Sequence, residues 1–132
     1  MNRRIWLIPI LILVINAIAI IVKWSSLSEL LPAHFDLQGN ASGSISRNIL
    51  LVYPFIGAVI SLLFYGIARI KKQFQTGLVI LSSGICLIFF LSAQVTLTHG
   101  TLPVLMLAEP VVLLISVVAF VVSLLKSRKV QL

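Results

Sequence analysis

The sequence predicts an all-α integral membrane protein: a four-transmembrane-helix bundle with a structured extracytoplasmic loop between helices 1 and 2. Three observations predict it. First, 60% of the 132 residues are hydrophobic and only 10% are charged, whereas a soluble domain is about 45–50% apolar and about 25% charged. Second, apolar runs cover 5–22, 49–68, 77–97 and 104–125. A hydrocarbon core about 30 Å thick needs about 20 residues of helix, so each run is long enough, the first only just. Third, the basic residues cluster at alternate ends of these runs. The length fits one membrane domain over 1–132.

Within lipid every backbone N–H and C=O must be bonded internally, so runs of this length are helices. The first run also has features of a signal peptide: Arg3-Arg4, an apolar stretch and the small residues Ala17-Ile18-Ala19. Its apolar character continues past that site through Val22, and no polar mature sequence follows at once. The expectation is therefore a membrane span. Pro9 and Pro54 fall near the starts of the first two helices, where a missing N–H costs least.

Direction comes from charge. Arg3, Arg4, Arg69, Lys71, Lys72, Lys126, Arg128 and Lys129 share one side if the chain crosses four times, leaving Lys23 and Arg47 on the other. The positive-inside rule then puts both termini in the cytoplasm and the 23–48 loop outside. A net charge of +7 is in this setting a topology signal and an attraction to anionic lipid, not a nucleic-acid site. Trp6, Trp24, Tyr53 and Tyr65 are spaced to lie at the two interfaces. The single cysteine, Cys86, forms no intrachain disulfide.

Helix packing in lipid relies on small residues and polar contacts. Gly57, Ser61 and Ala68 form one stripe on the second helix, and Gly77 and Gly84 another on the third. The two stripes are expected to bury each other. The polar residues at membrane depth are Asn16, Gln94 and Glu109. Asn16 is expected to bond a neighbouring helix, with a permeation path as the alternative. Gln94 is expected to reach the outer interface. An intramembrane acid is a functional candidate, and Glu109 lies about 8 Å deep if its helix starts at Val104. If the helix starts instead at Pro110, with the stretch before it lying flatter, Glu109 is interfacial; this is the expectation.

The external loop carries most of the specific information. Ser26 and Glu29 have capping-box spacing, and Trp24, Leu27 and Leu31 recur at helical spacing. They predict a short amphipathic helix on the membrane surface, stopped by Pro32. His34-Phe35-Asp36-Leu37-Gln38 alternates with period two and predicts an extended segment. Gly39-Asn40 signals a turn, and the small polar Ala41-Ser42-Gly43-Ser44 predicts a tight, Gly-dependent loop. Ser46 is the expected N-cap of the second helix, with Arg47 anchored among the headgroups.

Pro32, His34, Phe35, Asp36 and Gly39, followed by Ser46-Arg47 leading into a membrane helix, resemble the loop of a bacterial membrane family of unknown function. A Pro-x-His-Phe-(Asn/Asp)-x-x-Gly loop followed by Ser-Lys marks that family. It also forms the N-terminal part of SdpI, the immunity protein against the sporulation-delay toxin. Arg47 stands where the family usually has Lys, and Ser42 stands near a common Asp. The part of SdpI that follows has no counterpart in these residues. The resemblance implies a bacterial cytoplasmic-membrane protein with this topology, and the motif residues Pro32, His34, Phe35, Asp36, Gly39, Ser46 and Arg47 are expected to serve recognition or to hold the loop's structure.

Other chemistry is thinly supplied. His34, Asp36, His99 and Glu109 lie on or near the outer face as candidate metal ligands, but only His34 and Asp36 form a close pair, and the chain has no His-x-x-x-His or Cys-x-x-Cys pair. Neither a metal nor another cofactor is expected. The three acids, Glu29, Asp36 and Glu109, form no catalytic pair, and no nucleophile has a base beside it. The expectation is a non-enzyme whose partners are the lipid bilayer and an extracytoplasmic peptide or protein, with no nucleic acid. The alternative is a small transporter or channel subunit lined by Asn16, Gln94 and Glu109. It fits less well, because the cytoplasmic halves of helices 2–4 offer only serines as polar groups.

Overall fold

The computed structural model describes residues 2–35, 38, 40–97 and 104–131. It contains four long helices: α1 (Leu7–Lys23), α2 (Ile49–Ile70), α3 (Gln75–Leu97) and α4 (Val104–Gln131). All four are long and apolar enough to cross a membrane. The outward faces of α1, α2 and α4 carry bare Leu, Ile and Val; Val22, Leu62 and Ile70 are each 70% or more exposed. In water such a surface would be strongly unfavourable, whereas lipid solvates it.

Short 3₁₀ turns precede α1 (Arg3–Trp6) and α3 (Lys72–Phe74). Asn2 caps the first turn, its side chain accepting from the Arg4 amide. The Gln75 side chain then clamps Asn2: its Nε2 donates to the Asn2 carbonyl at 2.7 Å, and its Oε1 accepts from the Asn2 amide at 3.2 Å. This reciprocal pair ties the start of α1 to the start of α3. Pro9 is near the start of α1, as expected, but Pro54 lies inside α2, past its first turn.

α3 is the centre of the bundle. α1 and α2 pack on it and on each other, and α4 packs chiefly against α3. The small residues explain this, though not in the expected pairing. On α2, the Ser61 hydroxyl lies 2.7 Å from that of Ser82 on α3. A Cβ at Gly57 would stand 2.6 Å from Leu13 Cδ2 of α1 and 3.5 Å from Cys86 Sγ of α3. The glycines of α3 face elsewhere. A Cβ at Gly84 would overlap the Ser116 side chain of α4, and one at Gly77 would meet Phe120 and Ser123 at 3.0 and 3.2 Å. The two stripes therefore do not bury each other. α3 uses its glycines against α4 and offers Ser82 and Cys86 to α2, because a central helix must admit a neighbour on each side.

The connection between α1 and α2 differs most from expectation. There is no surface helix over 24–31. A 3₁₀ turn (Trp24–Ser26) ends α1, and the chain then becomes extended. Ser26 does not cap a helix start; its hydroxyl donates back to the Lys23 carbonyl. The strands β1 (Leu30–Phe35) and β2 (Ala41–Ser46) form an antiparallel hairpin, with Leu30 opposite Ser46, Leu31 opposite Ile45 and His34 opposite Ser42. Gly43 has a φ of 68°, a left-handed conformation that glycine adopts at no steric cost. The physical reason for the difference is burial. Leu27 and Leu31 do not lie flat on lipid but join Ile20, Leu50, Ala93 and Leu97 in a closed cluster over the helix ends. An extended chain with period-two alternation puts Leu31 in that cluster while Leu30 stays 64% exposed.

Candidate functional site

The loop motif is carried by this hairpin. Pro32, His34 and Phe35 all fall in β1, opposite Ser44, Ser42 and Ala41. Asp36 and Gly39 lie outside the described residues, as does His99. Gln38 and Asn40 are exposed at the far end of the hairpin. An isolated two-stranded hairpin is marginal in water. This one is held by apolar burial beneath it: Leu31 is 1% and Leu27 6% exposed, with Trp24, Ile45 and Tyr53 packed around them.

Arg47, expected to anchor among headgroups, is tied into the protein itself. Its amide donates to the Glu29 carbonyl at 2.9 Å, continuing the ladder past the end of the strands. Its guanidinium donates to the Leu27 carbonyl at 3.1 Å and sits 4.9 Å from the centroid of the Trp24 ring. One side chain thus joins the start of α2 to the end of α1. A planar guanidinium suits both tasks, as it stacks on a ring while donating in its own plane. Ser46 is not the N-cap of α2. Its hydroxyl accepts from the Asn48 amide at 3.3 Å, stabilising the turn that leads to the helix, and Asn48 holds the cap position.

The polar residues within the long helices meet different fates. Asn16 is fully buried on the inward stripe of α1 with Pro9 and Ile20. Neither amide atom of its side chain has a hydrogen-bond partner among the described residues, so the expected bond to a neighbouring helix is not made. α1 turns Asn16 inward because it belongs to the same helical face as Ile20, whose burial dominates. Gln94 is half-buried on α3. α4 runs unbroken through Pro110 from Val104, so Glu109 lies within the helix rather than at its start. Proline there lies past the first turn, so it removes one i→i−4 hydrogen bond from the helix. Ser92 of α3 donates to Glu109 Oε1 at 3.0 Å.

One polar cluster was not singled out from sequence. Ser61, Ser82 and Cys86 converge where α2 meets α3, with Cys86 Sγ 3.4 Å from the Ser61 hydroxyl. Only the place of Ser61 in the small-residue stripe hinted at it. The cluster is a packing contact: Cys86 and Ser82 have no exposed surface. Among the described residues no three His, Cys, Asp or Glu side chains come together as a metal site requires.

The class that emerges is a small helical bundle, long and apolar enough to cross a membrane four times, with a hairpin cap at one end. Comparison with protein families, curated proteins and solved structures finds no match to this chain.

Proposed function

We propose that this chain is a multi-pass protein of the bacterial cytoplasmic membrane, with both termini in the cytoplasm, that recognises a peptide or protein partner through its extracytoplasmic hairpin. The role is of the interaction or immunity type that the loop resemblance implies. The observation that carries it is the way the hairpin is mounted. Buried Leu27 and Leu31 and the Arg47 bridge fix it to the ends of α1, α2 and α3. A recognition element held in place before binding loses less conformational freedom on association. The outward orientation is supported by the eight basic residues at the opposite end.

The test has two arms. In a Cys86→Ser background, Gln38→Cys should react with a membrane-impermeant maleimide in intact cells, whereas Ser127→Cys should react only after permeabilisation. The reverse pattern removes the orientation and the reading with it. In the second arm, cells making the chain are challenged with the sporulation-delay toxin peptide. The wild-type chain should protect, and the His34→Ala/Phe35→Ala double variant should not, at equal membrane abundance. Equal survival of the two strains would leave the hairpin with a structural role only.

A further inference from the structure

We propose that the cleft between α3 and α4 at the basic end of the bundle binds one anionic phospholipid. The phosphate is held at Lys126 and an acyl chain lies along Ile80 and Ala119. This rests on the reading that the helices cross a membrane.

The cleft has a volume of about 440 Å³. Its lining changes character along the helix axis. Thr76, Ser123 and Lys126 stand at the mouth, whereas Ile80 and Ala119 lie deeper. Lys126 and Ala119 are seven residues apart on one helix, about 10 Å of rise. A headgroup and the first part of its chain need this order, polar outside and apolar inside, along a path parallel to the helices.

The walls are built before any ligand arrives. Gly77 lets α3 approach Phe120 and Ser123 of α4 closely. The Ser127 hydroxyl ties α4 to the 3₁₀ turn before α3 at the mouth, within 2.7 Å of the Gln73 carbonyl and 3.0 Å of the Ser123 carbonyl. α4 packs chiefly on α3, which leaves its flanks open to lipid.

Charge selects the headgroup. Eight of the ten basic residues belong to this end of the chain's helices, while Glu29, Asp36 and Glu109 all belong elsewhere. An anion at the mouth therefore meets Lys126 with no acid to oppose it, and a basic pocket between membrane helices suits an anionic headgroup. The cleft on the other flank of α4, facing α1, is lined by Ile8, Ile12, Leu87, Val112 and Ile115 and has no cation. It can hold a chain but cannot distinguish one headgroup from another.

Native mass spectrometry of the purified protein in detergent, with dioleoyl-phosphatidylglycerol or dioleoyl-phosphatidylcholine added, tests the site. The wild type should retain one phosphatidylglycerol and show no such preference for phosphatidylcholine. Lys126→Gln should weaken the first binding step about fivefold, the effect of one lysine at a lipid surface. Ala119→Trp, which fills the cleft and leaves every charge in place, should weaken it at least as much. Val122→Phe provides the same block with a smaller side chain if the tryptophan variant does not fold. Lys71→Gln, at the same end but outside the cleft, should stay within twofold of wild type. The proposal fails if the filled-cleft variants bind like wild type, or if Lys71→Gln weakens binding as much as Lys126→Gln. Resistance of the chain to extraction from membranes by alkaline carbonate is measured separately. Its release would overturn the membrane reading itself, independently of any lipid preference.

Discussion

The guanidinium of Arg47 lies over the Trp24 ring, 4.9 Å from its centroid, while donating to the Leu27 carbonyl beneath. The two residues belong to different helices' ends, and the hairpin lies between them in sequence. Their contact closes the loop at its base, so the hairpin emerges from a fixed frame.

Arg47→Ala should therefore destabilise the protein by about 2 kcal/mol, combining a charged hydrogen bond with a partly exposed cation–π contact. Thermal unfolding in detergent measures the loss, and protease nicking between β1 and β2 should accelerate in parallel. Arg47→Lys should fall between the two, since an ammonium keeps the charge but not the planar stack. A nicking rate equal to wild type in Arg47→Ala would mean that the apolar cluster alone holds the hairpin.

The approach of α3 to α4 makes a sharper prediction. A Cβ at Gly84 would overlap the Ser116 side chain, so Gly84→Ala should cost about 1–3 kcal/mol through forced separation of the helices. Adding Ser116→Gly removes the obstructing group and should recover most of that loss. A double-mutant cycle on unfolding midpoints reads the coupling. Additive losses would show that the two positions do not meet.

Asn16 is buried with both side-chain polar atoms lacking a partner among the described residues. Replacing such a group with an apolar one of similar size removes a desolvation penalty, so Asn16→Leu should be at least as stable as wild type, by up to about 1–3 kcal/mol. The recognition role should survive this change in the toxin-challenge assay. Loss of function without loss of stability would instead favour a polar path through the bundle.

The four helices were legible in the chain itself. Runs such as 49–68 and 77–97 are too long and too apolar to be anything else, and the structure extends them by a few residues at several ends, to Ile70 in α2 and back to Gln75 in α3. The extended character of His34–Phe35 was also readable, from period two, whereas the loop expected over 41–44 is instead part of strand β2, because its pairing with β1 is not a local property; Gly43 keeps a positive φ within that strand. The stretch from Trp24 to Leu31 was misread, because its leucines satisfy helical spacing in sequence while their partners, Ile20, Leu50 and Leu97, come from three other segments.

Length and hydrophobicity are local properties, so the sequence by itself determined the number of helices, their approximate positions and the asymmetric distribution of charge. Partners are not local. Only the tertiary structure decided that Gly84 meets Ser116 rather than α2, that Glu109 sits within a continuous helix beside Ser92, and that Asn16 faces inward without a side-chain hydrogen bond among the described residues. The same holds for Arg47: its charge marked an interface, but the ring and the carbonyl that hold it became visible only once the ends of α1 and α2 stood side by side. A helix presents several faces of nearly equal apolarity, and the energy that chooses among them comes from close packing summed over all its neighbours.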